Sequence, residues 1–285
     1  MFSIVTPNRD RLEHLKQAIQ TWQNEKLVAE IVVVDYGSTP PVQHRDFQSA
    51  EKIKIIRVEG TADWRIGHAI NIGFDFASNR LVMKLDADVL INRDEWLNGL
   101  DLEKSFFHGH WDTTVPNGEV VVSKDHWRAV GGYNEFLSGW GFDDRDFYFR
   151  LKSKGLREGY IPPTFLRAIP HSNELRGRYK ATYLFGQIND AETRADFDHR
   201  KNTLLSFMQE WHSSMRTPYT VLADKPQLAT IKTEPIKNRY KFQDAIAETM
   251  FALYFNSTDH NVRKQLDGLL VWLIDQAGGP GKSPT

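Results

Sequence analysis

What most limits the folds open to this chain is the order of short apolar runs in its first 86 residues. Residues 2–6 (FSIVT), 30–35 (EIVVVD), 52–58 (KIKIIRV) and 80–85 (RLVMKL) are brief and rich in β-branched side chains. Runs of that length read as buried strands, because a core helix needs ten residues or more. After the first run, Leu12, Leu15, Ile19 and Trp22 fall on one helical face. Asp10 and Glu13 give that helix a start signal of the capping-box kind. Gly37, Ser38, Pro40 and Pro41 close the second run, and a second helix is expected over residues 66–78. The order strand, helix, strand, strand, helix, strand implies an α/β sandwich with a mostly parallel sheet.

Beyond Asp86 the pattern changes to α+β. Trp96 is expected in a short helix, residues 119–123 in a strand, and residues 124–130 in a helical turn ending at Gly131-Gly132. Residues 143–154 read as a helix closed by Gly155, and residues 157–161 and 165–169 as strands. Residues 172–276 read as a helical carboxyl-terminal region, with loops near 217–226 and helical apolar spacing over 242–255 and 262–274. The tail 277–285 (AGGPGKSPT) reads as disordered.

Composition narrows the function. With 36 Lys+Arg against 37 Asp+Glu the net charge is −1, without the basic excess that bulk electrostatic binding of nucleic acid requires. Cysteine is absent, which removes disulfides, zinc-thiolate sites and thiol nucleophiles. The beginning of the chain carries no signal-peptide pattern and no apolar run is long enough to span a bilayer, so a cytoplasmic protein is expected.

Several constellations could carry chemistry. Asp86-Ala87-Asp88 follows an apolar strand, and residues i and i+2 of an extended segment point the same way. At the carboxyl end of a parallel strand, where open α/β sheets bind ligands, such a pair suits Mg²⁺ or Mn²⁺ holding a diphosphate. The plain alternative is a solvated acidic turn. Gly139-Trp140-Gly141-Phe142-Asp143-Asp144 places an indole between glycines and two carboxylates at a helix start. There a Trp face could stack a sugar while an ionised carboxylate takes a proton from a hydroxyl; a core Trp beside an acidic N-cap is the alternative. Pro7, Arg9 and Arg11 leave the first strand and Asp35 leaves the second, so either arginine could meet a phosphate. Arg65 opens the second helix as another phosphate or donor-sugar contact, and Asn71 reads equally as packing or ligand contact. His171, at a strand end, is a candidate third metal ligand; His108 and His110 with Asp112 form a rival set. No Gly-x-Gly-x-x-Gly or Walker A sequence is present.

In their order, Ser3-Ile4-Val5-Thr6-Pro7, Val33-Val34-Asp35-Tyr36-Gly37-Ser38, Asn71-Ile72-Gly73, Asp86-Ala87-Asp88 and Gly139-Trp140-Gly141-Phe142-Asp143-Asp144 resemble the GT-A glycosyltransferases. The last segment is similar to that of the beta-galactosyltransferases and bacterial chondroitin polymerases. The resemblance spans residues 1–171. It implies a Rossmann-like GT-A domain with a nucleotide-sugar half (1–90) and an acceptor half (91–171), and the helical region as an extension.

That resemblance further implies an inverting transferase moving a hexose or N-acetylhexosamine from a UDP-sugar to a saccharide or other hydroxyl acceptor. Asp35 would hold uracil, and Pro7, Arg9, Arg65 and Asp86 would belong to the donor side. Asp88 and His171 would ligate Mn²⁺ or Mg²⁺, Asp144 would be the base, and Trp140 and Asp143 would meet the acceptor. Arg145 departs from the family's more usual acidic or polar residue. A retaining enzyme of the polypeptide N-acetylgalactosaminyltransferase type, or an inactive UDP- or saccharide-binding module, is the alternative; Asp rather than Asn at position 144 favours inversion. Arg176 and Arg178 could sit on a closing loop. Nucleic acid is not an expected partner. Peripheral membrane association and a homodimer through the carboxyl-terminal helices stay open.

Overall fold

The computed structural model describes residues 1–61, 64–92, 95–110, 115, 117–170, 190–208, 210–234, 241–256 and 260–276. The strands are β1 (Phe2–Asn8), β2 (Val28–Asp35), β3 (Ile53–Glu59), β4 (Leu81–Lys84), β5 (Val89–Ile91), β6 (Ser105–His108), β7 (Val120–Ser123), β8 (Arg157–Tyr160), β9 (Leu166–Ala168), β10 (Tyr219–Asp224) and β11 (Leu228–Thr233). The α-helices are α1 (Leu12–Trp22), α2 (Ile66–Phe76), α3 (Lys124–Ala129), α4 (Asp143–Ser153), α5 (Ala191–Met208), α6 (Lys241–Phe251) and α7 (His260–Gln276).

Nine strands form one sheet in the order β10-β11-β3-β2-β1-β4-β7-β6-β8, and β5 pairs with β9 separately. From β11 to β4 the neighbours are parallel, whereas β7 runs antiparallel to both β4 and β6. The expected mixed but mostly parallel α/β sheet is therefore present.

Strand alternation sorts the apolar side chains to two faces. Ile4, Ile31, Val33, Ile53, Ile55 and Met83 pack with Leu15, Ile19 and Trp22 of α1 on one side. Val5, Val32, Val34, Ile56, Val58 and Val82 pack with Ala69, Ile70 and Phe74 of α2 on the other. Both faces are covered, which is why these strands read as nearly continuous apolar runs.

Three local expectations are corrected. Asp10 does not cap α1: it takes a positive φ, Arg11 is the N-cap, and the Asp10 carboxylate accepts from the Thr39 amide at 2.7 Å. A contact across to the next loop thus replaces the local box. Trp96 lies in a turn, not a helix, with its ring against Phe107 and Phe165. Residues 217–226, expected as loops, contain β10, which with β11 adds an antiparallel hairpin beside β3. The carboxyl-terminal region is thus helix plus hairpin, because the Ile53–Glu59 edge offers β11 a row of unpaired backbone groups. The tail 277–285 and the basic segment 174–180 lie outside the described residues. No described helix is long and apolar enough to cross a membrane.

Candidate active site

Register brings the motifs to one edge. Asn8 ends β1 opposite Asp35, the last residue of β2, and Val5 of β1 pairs with Lys84, the last residue of β4. Asp86 and Asp88 therefore emerge beside the chain that leaves β1. The Arg11 guanidinium lies 2.8 Å from a carboxylate oxygen of Asp88. Because β7 is antiparallel to β4, with Lys84 opposite Val120, its amino end reaches the same edge and brings Glu119 there.

The floor of this edge is polar and buried. Lys84 reaches Asp86 at 2.7 Å and donates to the Gly118 carbonyl at 2.9 Å. Glu119 accepts from the Asp86 amide at 2.9 Å, and its other carboxyl oxygen has no hydrogen-bond partner among the described residues. Burial pushes Glu119 well above the usual carboxylate range against the pull of Lys84. Burial alone would lower the Lys84 pKa, but Asp86 and Glu119 carry it well above its ordinary value. Lys84 is thus a buried cation paired with Asp86, beside a Glu119 whose desolvation opposes its charged form.

The second acidic pair reaches the same floor. Gly139, Gly141 and Phe142 all adopt positive φ, and Phe142 is the left-handed N-cap of α4. That turn puts Asp143 and Asp144 in the first turn of α4, where the helix dipole favours anions. Asp143 is nevertheless pushed up to about 7 by burial and by the neighbouring Asp144, with Lys84 opposing and Asp86 adding to the rise. The Asp144 carboxylate accepts from the Arg145 amide at 2.8 Å. The Tyr133 hydroxyl, fully buried, has no hydrogen-bond partner among the described residues; burial raises its pKa within the field of Lys84, Asp143, Asp144 and Glu119. Lys84 thus acts on both carboxylate motifs, with Glu119 beside Asp86 and Tyr133 within the field of Asp143 and Asp144.

The remaining sequence candidates have distinct settings. Asp35 is wholly buried, and its carboxylate accepts from Arg57 at 2.7 Å and from the Ser38 and Val42 amides at 3.2 and 3.1 Å. It shapes the loop after β2. Pro7 lies buried in β1, Arg9 is half-buried just past it, and Arg65 is the extended N-cap of α2. Trp140 is 44% exposed, free to offer a ring face. Asn71 is structural: it donates to the Tyr133 carbonyl and Glu135, and accepts from the Tyr133 amide and the Trp127 indole. His108 stacks 4.1 Å from Tyr148 and bonds to Glu158, while Asp112 and His171 lie outside the described residues.

Carboxylate oxygens are the donors a hard divalent cation takes. Asp86 and Asp88 supply them at this edge, so the residues present fit Mn²⁺ or Mg²⁺. Among the described residues no group of three His, Asp or Glu side chains converges as a metal cage. Any third protein ligand would come from outside them.

Lys84, Glu119 and Tyr133 were not singled out from sequence. A lysine inside the apolar run of β4 and a glutamate opening the Val120–Ser123 strand were the available signals.

Residues 3–102 match the model of glycosyl transferase family 2, and residues 99–180 match that of the N-terminal domain of galactosyltransferase. The fold is that of the GT-A class, and motif order and these two partial matches liken the chain to the class of GT-A-fold glycosyltransferases. Within that class it is similar to human beta-1,4-galactosyltransferase 7, at 32% identity over 128 residues, which is 40% of this chain and 38% of that protein. The match therefore spans well under half of the curated relative's length. A Drosophila beta-1,4-galactosyltransferase 7 structure with manganese, UDP-Gal and xylobiose superposes with TM-score 0.57 at 18% identity, covering 85% of this chain and 98% of that one. The Staphylococcus aureus TarS 1–349 structure with UDP-GlcNAc gives 0.53 at 12%, covering 97% and 81%.

Proposed function

We propose that the chain is an inverting, metal-dependent glycosyltransferase that moves a hexose or N-acetylhexosamine from a UDP-sugar to an acceptor hydroxyl. The observation that supports this reading is that Lys84, paired with Asp86 at 2.7 Å, also acts on Asp143, so the two carboxylate motifs lie within one field. A donor diphosphate at the first pair and an acceptor hydroxyl at the second would then be neighbours. The similar Drosophila beta-1,4-galactosyltransferase 7 structure, in complex with manganese, UDP-Gal and xylobiose, supports a UDP-sugar donor. UDP-galactose and xylobiose are accordingly the first donor and acceptor to test.

In this reading Asp144 takes the acceptor proton as the hydroxyl attacks the anomeric carbon in a single displacement. It stands in the first turn of α4, next to Asp143 and the turn that carries Trp140. Trp140 orients the acceptor ring, which supplies the positioning term. Asp88, with Asp86 beside it and His171, would hold a Mn²⁺ or Mg²⁺ that neutralises charge on the departing diphosphate when bound. Asp88 also pairs with Arg11 through one of its oxygens, at 2.8 Å.

The test is UDP release from a panel of nucleotide sugars with Mn²⁺, with and without acceptor. Asp144→Asn should lose about 10²–10⁴-fold in turnover, the usual contribution of a general base, while UDP binding survives. Asp88→Ala should abolish Mn²⁺-dependent UDP binding in calorimetry. A wild-type rate from Asp144→Asn rejects the base assignment, and tight UDP binding without turnover on any donor favours the binding-module alternative.

A further inference from the structure

The glycines around Trp140 are required by something the motif does not contain. A Cβ at Gly139 would overlap the carboxylate of Asp198, and one at Gly141 would sit 2.9 Å from the ring of His199. Both partners lie on α5, outside the segment that carries the carboxylate motifs. The contact is a built one. Asp198, 1% exposed, accepts from the Trp140 amide at 3.2 Å and pairs with Lys201 at 3.2 Å. Lys201 donates to the Ser138 carbonyl at 2.8 Å. Asn202 accepts from the Ser138 amide at 3.2 Å and donates to the Gly141 carbonyl at 2.8 Å. Residues 198, 201 and 202 share one face of the helix, so a single surface of α5 grips the turn at both ends.

His199 stands beside the same turn. Its ring is 6.1 Å from that of Trp140 and 5.7 Å from that of Phe142, and it lies within the field of Asp144 and Arg145. An imidazole carries one donor and one acceptor nitrogen, a match for a sugar hydroxyl that both gives and takes a hydrogen bond.

We propose that α5 completes the acceptor side of the site. Asp198, backed by Lys201 and Asn202, is a positioning residue that fixes the turn presenting the Trp140 indole, and His199 is a specificity-determining wall for the acceptor saccharide next to it. The proposal rests on the transferase reading for its substrate, but the grip on the turn does not.

The experiment compares wild type with Asp198→Leu/Lys201→Met, which removes both buried charges at once, and with His199→Ala. Amide hydrogen exchange at Trp140 should quicken at least tenfold in the double variant, with the Ser138 amide, held by Asn202, changing less. The KM for xylobiose, with UDP-galactose and Mn²⁺, should rise tenfold or more in both variants. Calorimetric affinity for UDP with Mn²⁺ should stay within twofold. Unchanged exchange at Trp140 overturns the positioning role, and an acceptor KM within twofold of wild type in His199→Ala overturns the wall. Should the double variant fail to fold, Asn202→Ala replaces it, with faster Ser138 exchange as the expected result and unchanged exchange as the overturning one. A wild type that neither binds UDP nor turns over defeats the transferase reading instead and leaves exchange to judge the grip.

Discussion

Asp143→Asn should stabilise the protein at neutral and alkaline pH and leave it nearly unchanged in acid. The Asp143 carboxyl is raised from 3.8 to about 7 by burial and by Asp144. Below pH 3.8 it is protonated folded and unfolded, and contributes no pH dependence. Between 3.8 and 7 the unfolded chain has released the proton and the folded chain has not. The folded state therefore binds more protons, and stability falls as pH rises across that window. Above 7 the loss is complete. Three pKa units at about 1.36 kcal/mol each set a ceiling of about 4 kcal/mol. The side chain is only half-buried, so solvent screening reduces this to about 1–2 kcal/mol. An asparagine keeps the shape without the charge and recovers that amount. For a protein of 285 residues it corresponds to a rise of about 2–3 °C in Tm at pH 8. Scanning calorimetry or urea melts from pH 4 to 8 on both proteins provide the measurement. Parallel pH profiles, or a variant less stable than wild type at pH 8, would refute the reasoning. The same substitution should weaken acceptor binding, a trade expected where a site holds like charges together for function.

Two further outcomes concern the scaffold. Gly139→Ala and Gly155→Ala have nearly the same φ, +81° and +82°, but a Cβ meets Asp198 at the first and open space at the second. Gly155→Ala should cost about 1–2 kcal/mol from the left-handed backbone alone, and Gly139→Ala distinctly more; equal losses in urea melts would mean the Asp198 contact is absent in solution. Arg57→Leu removes the cation beside the fully buried Asp35. It should cost about 3–5 kcal/mol, the usual result of stranding a buried charge, and an effect below 1 kcal/mol would show that the Ser38 and Val42 amides suffice.

The parallel half of the sheet was legible because burial on both faces leaves a local mark. Residues 30–35 and 52–58 could be little else than inner strands, and the α1 stripe of Leu15, Ile19 and Trp22 packs where its spacing placed it. The hairpin of β10 and β11 was not legible: β10 is an outer strand with Val221 and Leu222 exposed, so it lacks the apolar run that marked the others. The Asp10–Glu13 box failed for a related reason. Its local hydrogen bond competed with a partner, the Thr39 amide, that is 29 positions away in sequence.

By itself, then, the sequence determined which carboxylates stand at strand and helix ends, because chain direction and alternation follow from periods of two and 3.6 residues. Tertiary structure decided what faces them. Only the antiparallel return of β7 sets Glu119 against Asp86, and only the docking of α5 sets Asp198 and His199 against the two glycines. Those are contacts through space between polar groups, and a polar contact leaves no periodic trace in either of the segments that make it.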